Sequence, residues 1–175
     1  MLENYIGHDS QLCGVEEHRL IGGKGDGLRL LEVKNGLGLE FNVVADRCAD
    51  IYRLSFKGDN FGFFSASGYV GPAYYDDKDM GWLKSFTAGF LTTCGLLTAG
   101  SPSEDAGEKL PMHGAIGSTP AEHIFWEMDE ENIRITAQMR HAAVFAPKLL
   151  LKRTIDCSKT KNEITLTDTV KNIGD

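Results

Sequence analysis

The chain has 175 residues, with 18 Lys+Arg against 25 Asp+Glu, a net charge of −7 and 42% apolar residues, a size and composition that suit one globular domain over residues 1–175. So acidic a balance argues against nucleic acid and against an anionic membrane surface as partners, because both need clustered Lys and Arg to displace counterions. No apolar run approaches the roughly 18–20 residues of a membrane span, and the start MLENYIGHDS lacks the basic and apolar blocks of a signal peptide, so a cytoplasmic location is expected.

In chain order, the cluster Gly22-Gly23-Lys24-Gly25-Asp26-Gly27 departs from the G-x-G-x-x-G spacing and precedes a strand rather than a helix, so it reads as a turn and not as a phosphate cradle. Leu28 to Val33, Leu37 to Val44 and Ile51 to Phe56 read as strands. They are separated by Asn35-Gly36, a strong hairpin signal, and by Arg47-Cys48-Ala49-Asp50. Helical periodicity is confined to a short turn expected near Asp79 to Phe86, with Asp79 as its cap. The middle of the chain, from Gly58 to Pro120, is rich in Gly, Pro, Ser and aromatics and holds the loop Gly100 to Lys109, expected to be too polar to pack. Irregular segments of this kind inside a β scaffold tend to carry binding residues.

Alternation is clearest after Pro120. Ile124, Trp126 and Met128 alternate with His123, Phe125 and Glu127. After the polar turn Asp129-Glu130-Glu131-Asn132, Ile133, Ile135, Ala137 and Met139 face a core while Arg134, Thr136, Gln138 and Arg140 face out. Leu149 to Ile155 and Ile164 to Val170 complete an antiparallel meander, and the chain reads as mostly β. The sequence stops at Asp175 directly after an amphipathic strand, and an uncovered strand edge is a pairing liability. The expectation is a longer protein, or a homodimer or other packing through the exposed sheet edge.

Cys13, Cys48, Cys94 and Cys157 are too dispersed to pre-form a zinc site or redox pair and are expected as reduced, mostly buried thiols. No two of the five histidines lie two apart, so the His-x-His pair of a metal-dependent cupin is missing; neither metal nor cofactor is expected. Thr92-Thr93-Cys94-Gly95 and His113 would make a nucleophile and base only if the fold joined them. His113 stands out by its setting, Leu110-Pro111-Met112-His113-Gly114, where Pro and Gly fix the backbone and admit close approach. His123 and His141 read as surface or half-buried strand residues.

The ordered set Gly81-Trp82, Phe86-Thr87-Ala88-Gly89-Phe90-Leu91-Thr92-Thr93-Cys94-Gly95-Leu96, Leu110-Pro111-Met112-His113-Gly114 and Ser118-Thr119-Pro120-Ala121 resembles the core signature of an aldose 1-epimerase-like family among the galactose mutarotase-like proteins. Asn35-Gly36-Leu37-Gly38-Leu39, Ala45-Asp46-Arg47-Cys48-Ala49-Asp50-Ile51 and Asp168-Thr169-Val170-Lys171-Asn172-Ile173-Gly174 extend the resemblance over nearly the whole chain. It implies an antiparallel β-sandwich of the galactose mutarotase-like type that binds a monosaccharide or sugar derivative in an open groove, in proteins about twice this length. His113 matches the histidine that holds and polarises the sugar. The second histidine and the glutamate of such enzymes would lie beyond Gly174. One departure is Ala115, where relatives often carry arginine directly after His-Gly.

Interconverting sugar anomers means opening a hemiacetal, so an acid must protonate the ring oxygen while a base takes the anomeric hydroxyl proton; this needs no metal. Sugar contacts are expected from Arg47, whose five fixed donors suit hydroxyls, from Trp82, whose flat face suits a sugar's C–H side, and from Thr93. The sequence therefore points to an aldose 1-epimerase-like isomerase with His113 as its retained active-site group, the alternative being a carbohydrate-binding β-sandwich without turnover.

Overall fold

The computed structural model describes residues 5–174. The strands are β1 (Gly14–Arg19), β2 (Arg29–Lys34), β3 (Leu39–Val44), β4 (Asp50–Phe56), β5 (Asp59–Asn60), β6 (Phe63–Phe64), β7 (Ala88–Gly89), β8 (Ser103–Asp105), β9 (Glu108–Leu110), β10 (His123–Met128), β11 (Asn132–Ala142), β12 (Lys148–Ser158) and β13 (Ile164–Asn172). β1 to β5 form one antiparallel sheet in sequential order, β10 to β13 form a second, and β6–β7 and β8–β9 are small two-stranded ribbons. Neighbouring strands in sequence pair directly throughout, the simplest antiparallel topology.

The register of the second sheet stacks its inward side chains in rows. Met128, Ile133, Cys157 and Ile164 form one row and Trp126, Ile135, Ile155 and Leu166 the next. Ile133, Ile135, Ala137, Met139, Leu151, Ile155 and Cys157 pack on Leu31, Val33, Phe41, Val43, Ile51 and Leu54 of the first sheet in one apolar core. This makes the molecule a sandwich, with polar outer positions on β11 and β12 and a dry interior. The first sheet is also covered on its other face, where Leu28, Leu30, Val44 and Tyr52 pack under Leu20, Phe64 and Tyr69. Two-sided burial is why β2 and β3 carry the adjacent apolar pairs Leu30-Leu31 and Val43-Val44, which break strict alternation.

Three expectations change. β1 was not foreseen: its sequence, Gly-Val-Glu-Glu-His-Arg, is charged because it lies at a sheet edge, where charge deters further pairing. The polar loop after Gly100 is no irregular loop but carries the exposed β8–β9 hairpin. The turn near Asp79 exists as a 3₁₀ helix over Gly81–Ser85, but its N-cap is Met80 and no side chain caps it. Asp76 instead accepts from Lys78 N and pairs with Lys84 at 2.7 Å, and the Asp79 backbone takes a left-handed φ of 48°. All four cysteines are free; Cys48 and Cys157 are buried, Cys13 is half-buried and Cys94 is exposed.

Candidate active site

Between the sheets, a buried ion pair of Arg153 and Asp50 interrupts the core. On β12, Arg153 shares the inward parity of Leu151 and Ile155 and is 2% exposed. Its guanidinium donates from Nε and Nη2 to the two carboxylate oxygens of Asp168 on β13, at 2.9 and 2.7 Å. Nη1 donates to Asp50 Oδ1 at 2.7 Å and Cys48 O at 3.1 Å, and Nη2 to Thr93 Oγ1 at 2.8 Å. Five acceptors meet five N–H donors, which is full satisfaction of a guanidinium. Burial pushes the Asp50 carboxyl up, against the pull of Arg153 and of the Thr93 hydroxyl and N–H. Burial alone would lower the Arg153 pKa, but Asp168 and Asp50 raise it and keep the charge. Thr93 is thereby bound through its N–H and hydroxyl to Asp50 and through its oxygen to Arg153.

Arg47 begins the tight turn into β4, with Asp50 N donating back to Arg47 O at 3.0 Å and Cys48 and Ala49 both left-handed, at φ 57° and 51°. The guanidinium is buried and spans three segments, donating to Gly117 O at 3.0 Å, Val70 O at 2.8 Å and Ser85 O at 3.1 Å. Neither neighbouring carboxylate pairs with it: Asp46 accepts from Arg29 N and Asp50 engages Arg153. Arg47 thus clamps the loops that carry Trp82 and His113.

Trp82, in the 3₁₀ turn, stacks on Phe86 with ring centroids 4.5 Å apart and meets the His113 ring at 4.5 Å, tilted by 52°. His113 itself is half-buried with a left-handed φ of 56°. Its backbone N donates to Gly100 O and its O accepts from Gly95 N, while its Nδ1 accepts from Gly100 N at 3.1 Å. A ring nitrogen that accepts from an amide carries no proton, so the proton of the neutral imidazole sits on Nε2 and is available as a donor. The following Gly114 is required, because a Cβ there would lie 2.6 Å from Gly95 O.

The segments on either side of His113 border a cavity of about 450 Å³. Gly95, Pro111, Gly114 and Ala115 form one wall, Arg140 and His141 at the end of β11 another, and Tyr75, Asp77 and Lys109 the rim. The Tyr75 hydroxyl donates to Gly114 O at 3.3 Å, and burial followed by Asp77 and Asp76 raises its pKa. Arg140 is held by Glu122 at 3.0 Å. The His113 ring, Arg47, Trp82 and Thr93 do not line this cavity; they stand behind or beside its wall. Sequence reasoning passed over two features. Arg153 sat at core parity inside an apolar run, and Asp168 shared parity with Leu166; that shared parity was the available signal. His141 was read as an ordinary strand histidine, yet its inward parity with Met139 sends it to the cavity. Among the described residues, no cluster of three His, Cys, Asp or Glu side chains is spaced to hold a metal, and no helix is long and apolar enough to cross a membrane.

The fold has solved counterparts. A candidate aldose 1-epimerase from Klebsiella pneumoniae superposes with a TM-score of 0.83 at 24% identity, over 95% of this chain and 47% of that one. The galactose 1-epimerase from Lactobacillus acidophilus gives a TM-score of 0.58 at 14% identity, over 91% of this chain and 49% of its own. The chain therefore has the aldose epimerase fold and spans about half the length of these structures. No curated protein matches it. Residues 25–175 match the family described as a domain of unknown function, DUF4432, and the chain belongs to that family.

Proposed function

We propose that the chain forms part of an aldose 1-epimerase-like isomerase and binds a monosaccharide or sugar derivative in the cavity beside the 111–115 segment. The observation that carries this reading is the His113 ring, pinned through Nδ1 by Gly100 and set at a tilt against Trp82, directly behind the cavity wall that Pro111, Gly114 and Ala115 form. The left-handed backbone of His113 is fixed by its contacts to Gly95 and Gly100, and residues held in sparsely populated backbone regions cluster at functional sites. In this reading the sugar reaches the Nε2–H past Gly114 and Ala115, and the imidazole polarises the hemiacetal as it opens. Arg47, Trp82 and Thr93 serve the sugar by holding the wall behind that ring, Arg47 through its three carbonyls and Thr93 through Asp50 and Arg153. No metal or cofactor enters the step, since proton transfer suffices.

Anomer exchange followed by NMR on the 175-residue chain tests it. Sugar binding is expected, with acceleration for at least one aldose about 10²–10⁴-fold below that of a site holding both an acid and a base, and His113→Ala should abolish the acceleration that remains. Binding of a sugar without acceleration would leave a carbohydrate-binding sandwich without turnover. Absence of both overturns the reading.

A further inference from the structure

The cavity bounded by the 111–115 segment does not end at its rim. A second cavity of about 630 Å³ adjoins it, and the two share Asp77, Lys109 and Leu110. Either volume alone lies within the range of about 300–1,000 Å³ that encloses a small ligand. The shared wall is β9, held up by its pairing with β8, so this hairpin partitions one long groove into two seats. The second seat is lined by Lys78, Asp79, Ser103 and Glu104 in addition to the shared residues, with Pro102 and Leu110 as its apolar surfaces.

That lining suits hydroxyls. Carboxylates accept from vicinal diols, lysine ammoniums and the serine hydroxyl donate to them, and a proline or leucine face covers the C–H side of a ring. It does not suit an anion, since Asp77, Asp79 and Glu104 outnumber Lys78 and Lys109. Resting on the reading of the first seat as a sugar site, we infer that the groove takes a neutral reducing disaccharide. Its reducing unit lies in the seat lined by His141, with His113 behind the wall, and its second unit lies across β9. The anomeric carbon that must stay free is then the one in the seat lined by His141, and the glycosidic bond passes over Lys109 and Leu110.

Calorimetric titration of the whole chain with maltose, cellobiose, lactose, isomaltose and melibiose, against glucose and galactose, tests this. At least one disaccharide should bind about tenfold or more tightly than either monosaccharide. Lys78→Ala and Glu104→Ala, which touch only the second seat and are exposed, should bring the disaccharide down to the monosaccharide level and leave monosaccharide affinity unchanged. Monosaccharide and disaccharide binding of equal strength would overturn the inference and spare the sugar site. The same holds if both variants weaken both classes alike. Absence of binding by any sugar would overturn the two together.

Discussion

Arg153 shows how a charge is kept in a dry core. Its five hydrogen bonds and two carboxylates offset the loss of water, and removing one partner of such a buried set typically costs about 3–5 kcal/mol because the others are left uncompensated. Arg153→Ala should lower the unfolding free energy measured in urea by that amount; Asp168→Asn should cost less, since the Asp168 side chain is 32% exposed. Burial also raises three neutral acids, Cys48 to about 12, Cys157 to about 11 and Tyr52 to about 12. A raised folded pKa gives stability that is complete below the unfolded value and lost as pH climbs through the folded one. Stability should therefore hold to about pH 9 and fall between about 9 and 12, read as a declining thermal midpoint, and Cys157→Ala should flatten that decline. Thiol labelling at neutral pH should reach Cys94 first and leave Cys48 and Cys157 untouched until unfolding.

The turns hold the sandwich together as much as the strands do. Asn35, 2% exposed, accepts from Leu37 N and Leu39 N within the β2–β3 turn and donates to Ser158 O, Lys161 O and Asn162 Oδ1 beside the β12–β13 turn. One amide thus fastens a hairpin of each sheet to the other. Asn35→Ala leaves several buried groups without partners, each costing about 1–3 kcal/mol, so a loss above about 3 kcal/mol is expected in denaturation. Asn35→Asp keeps the two accepted bonds, forfeits the donated ones and should recover only part of that loss. The Asn-Gly pair was legible as a turn, but its reach across the sandwich was not, because sequence reports a residue's own chain neighbours and not residues over a hundred positions away. The same distinction applies along the strands. β11 to β13 were readable because one face meets water and alternation survives. β1 was hidden by the charges that protect an edge. The Pro-x-His-Gly setting of His113 was visible, whereas its bond to Gly100 and the cavity facing His141 depend on how the loops fold back.

For the molecule as a whole, the two sheets share a single apolar core, so neither is expected to persist without the other. Phe41→Ala, in the middle of that core and 2% exposed, should cost about 3–5 kcal/mol. It should also shift the unfolding midpoints seen by far-ultraviolet circular dichroism and by tryptophan fluorescence together. Trp82 reports from the loop wall and Trp126 from the second sheet, so two separated transitions would show that the loop wall and the sheets are independent units.

The guanidinium in the core carries an evolutionary corollary. A lysine placed at 153 would bring three donors from a point charge where five fixed ones are in use, leaving acceptors stranded among Asp50, Thr93, Asp168 and the Cys48 carbonyl. Natural variation at this spot should therefore travel as a package: homologues that abandon the arginine should also have exchanged both aspartates for uncharged residues, while those that retain it should be free to drift at nearly every outward-facing position around it.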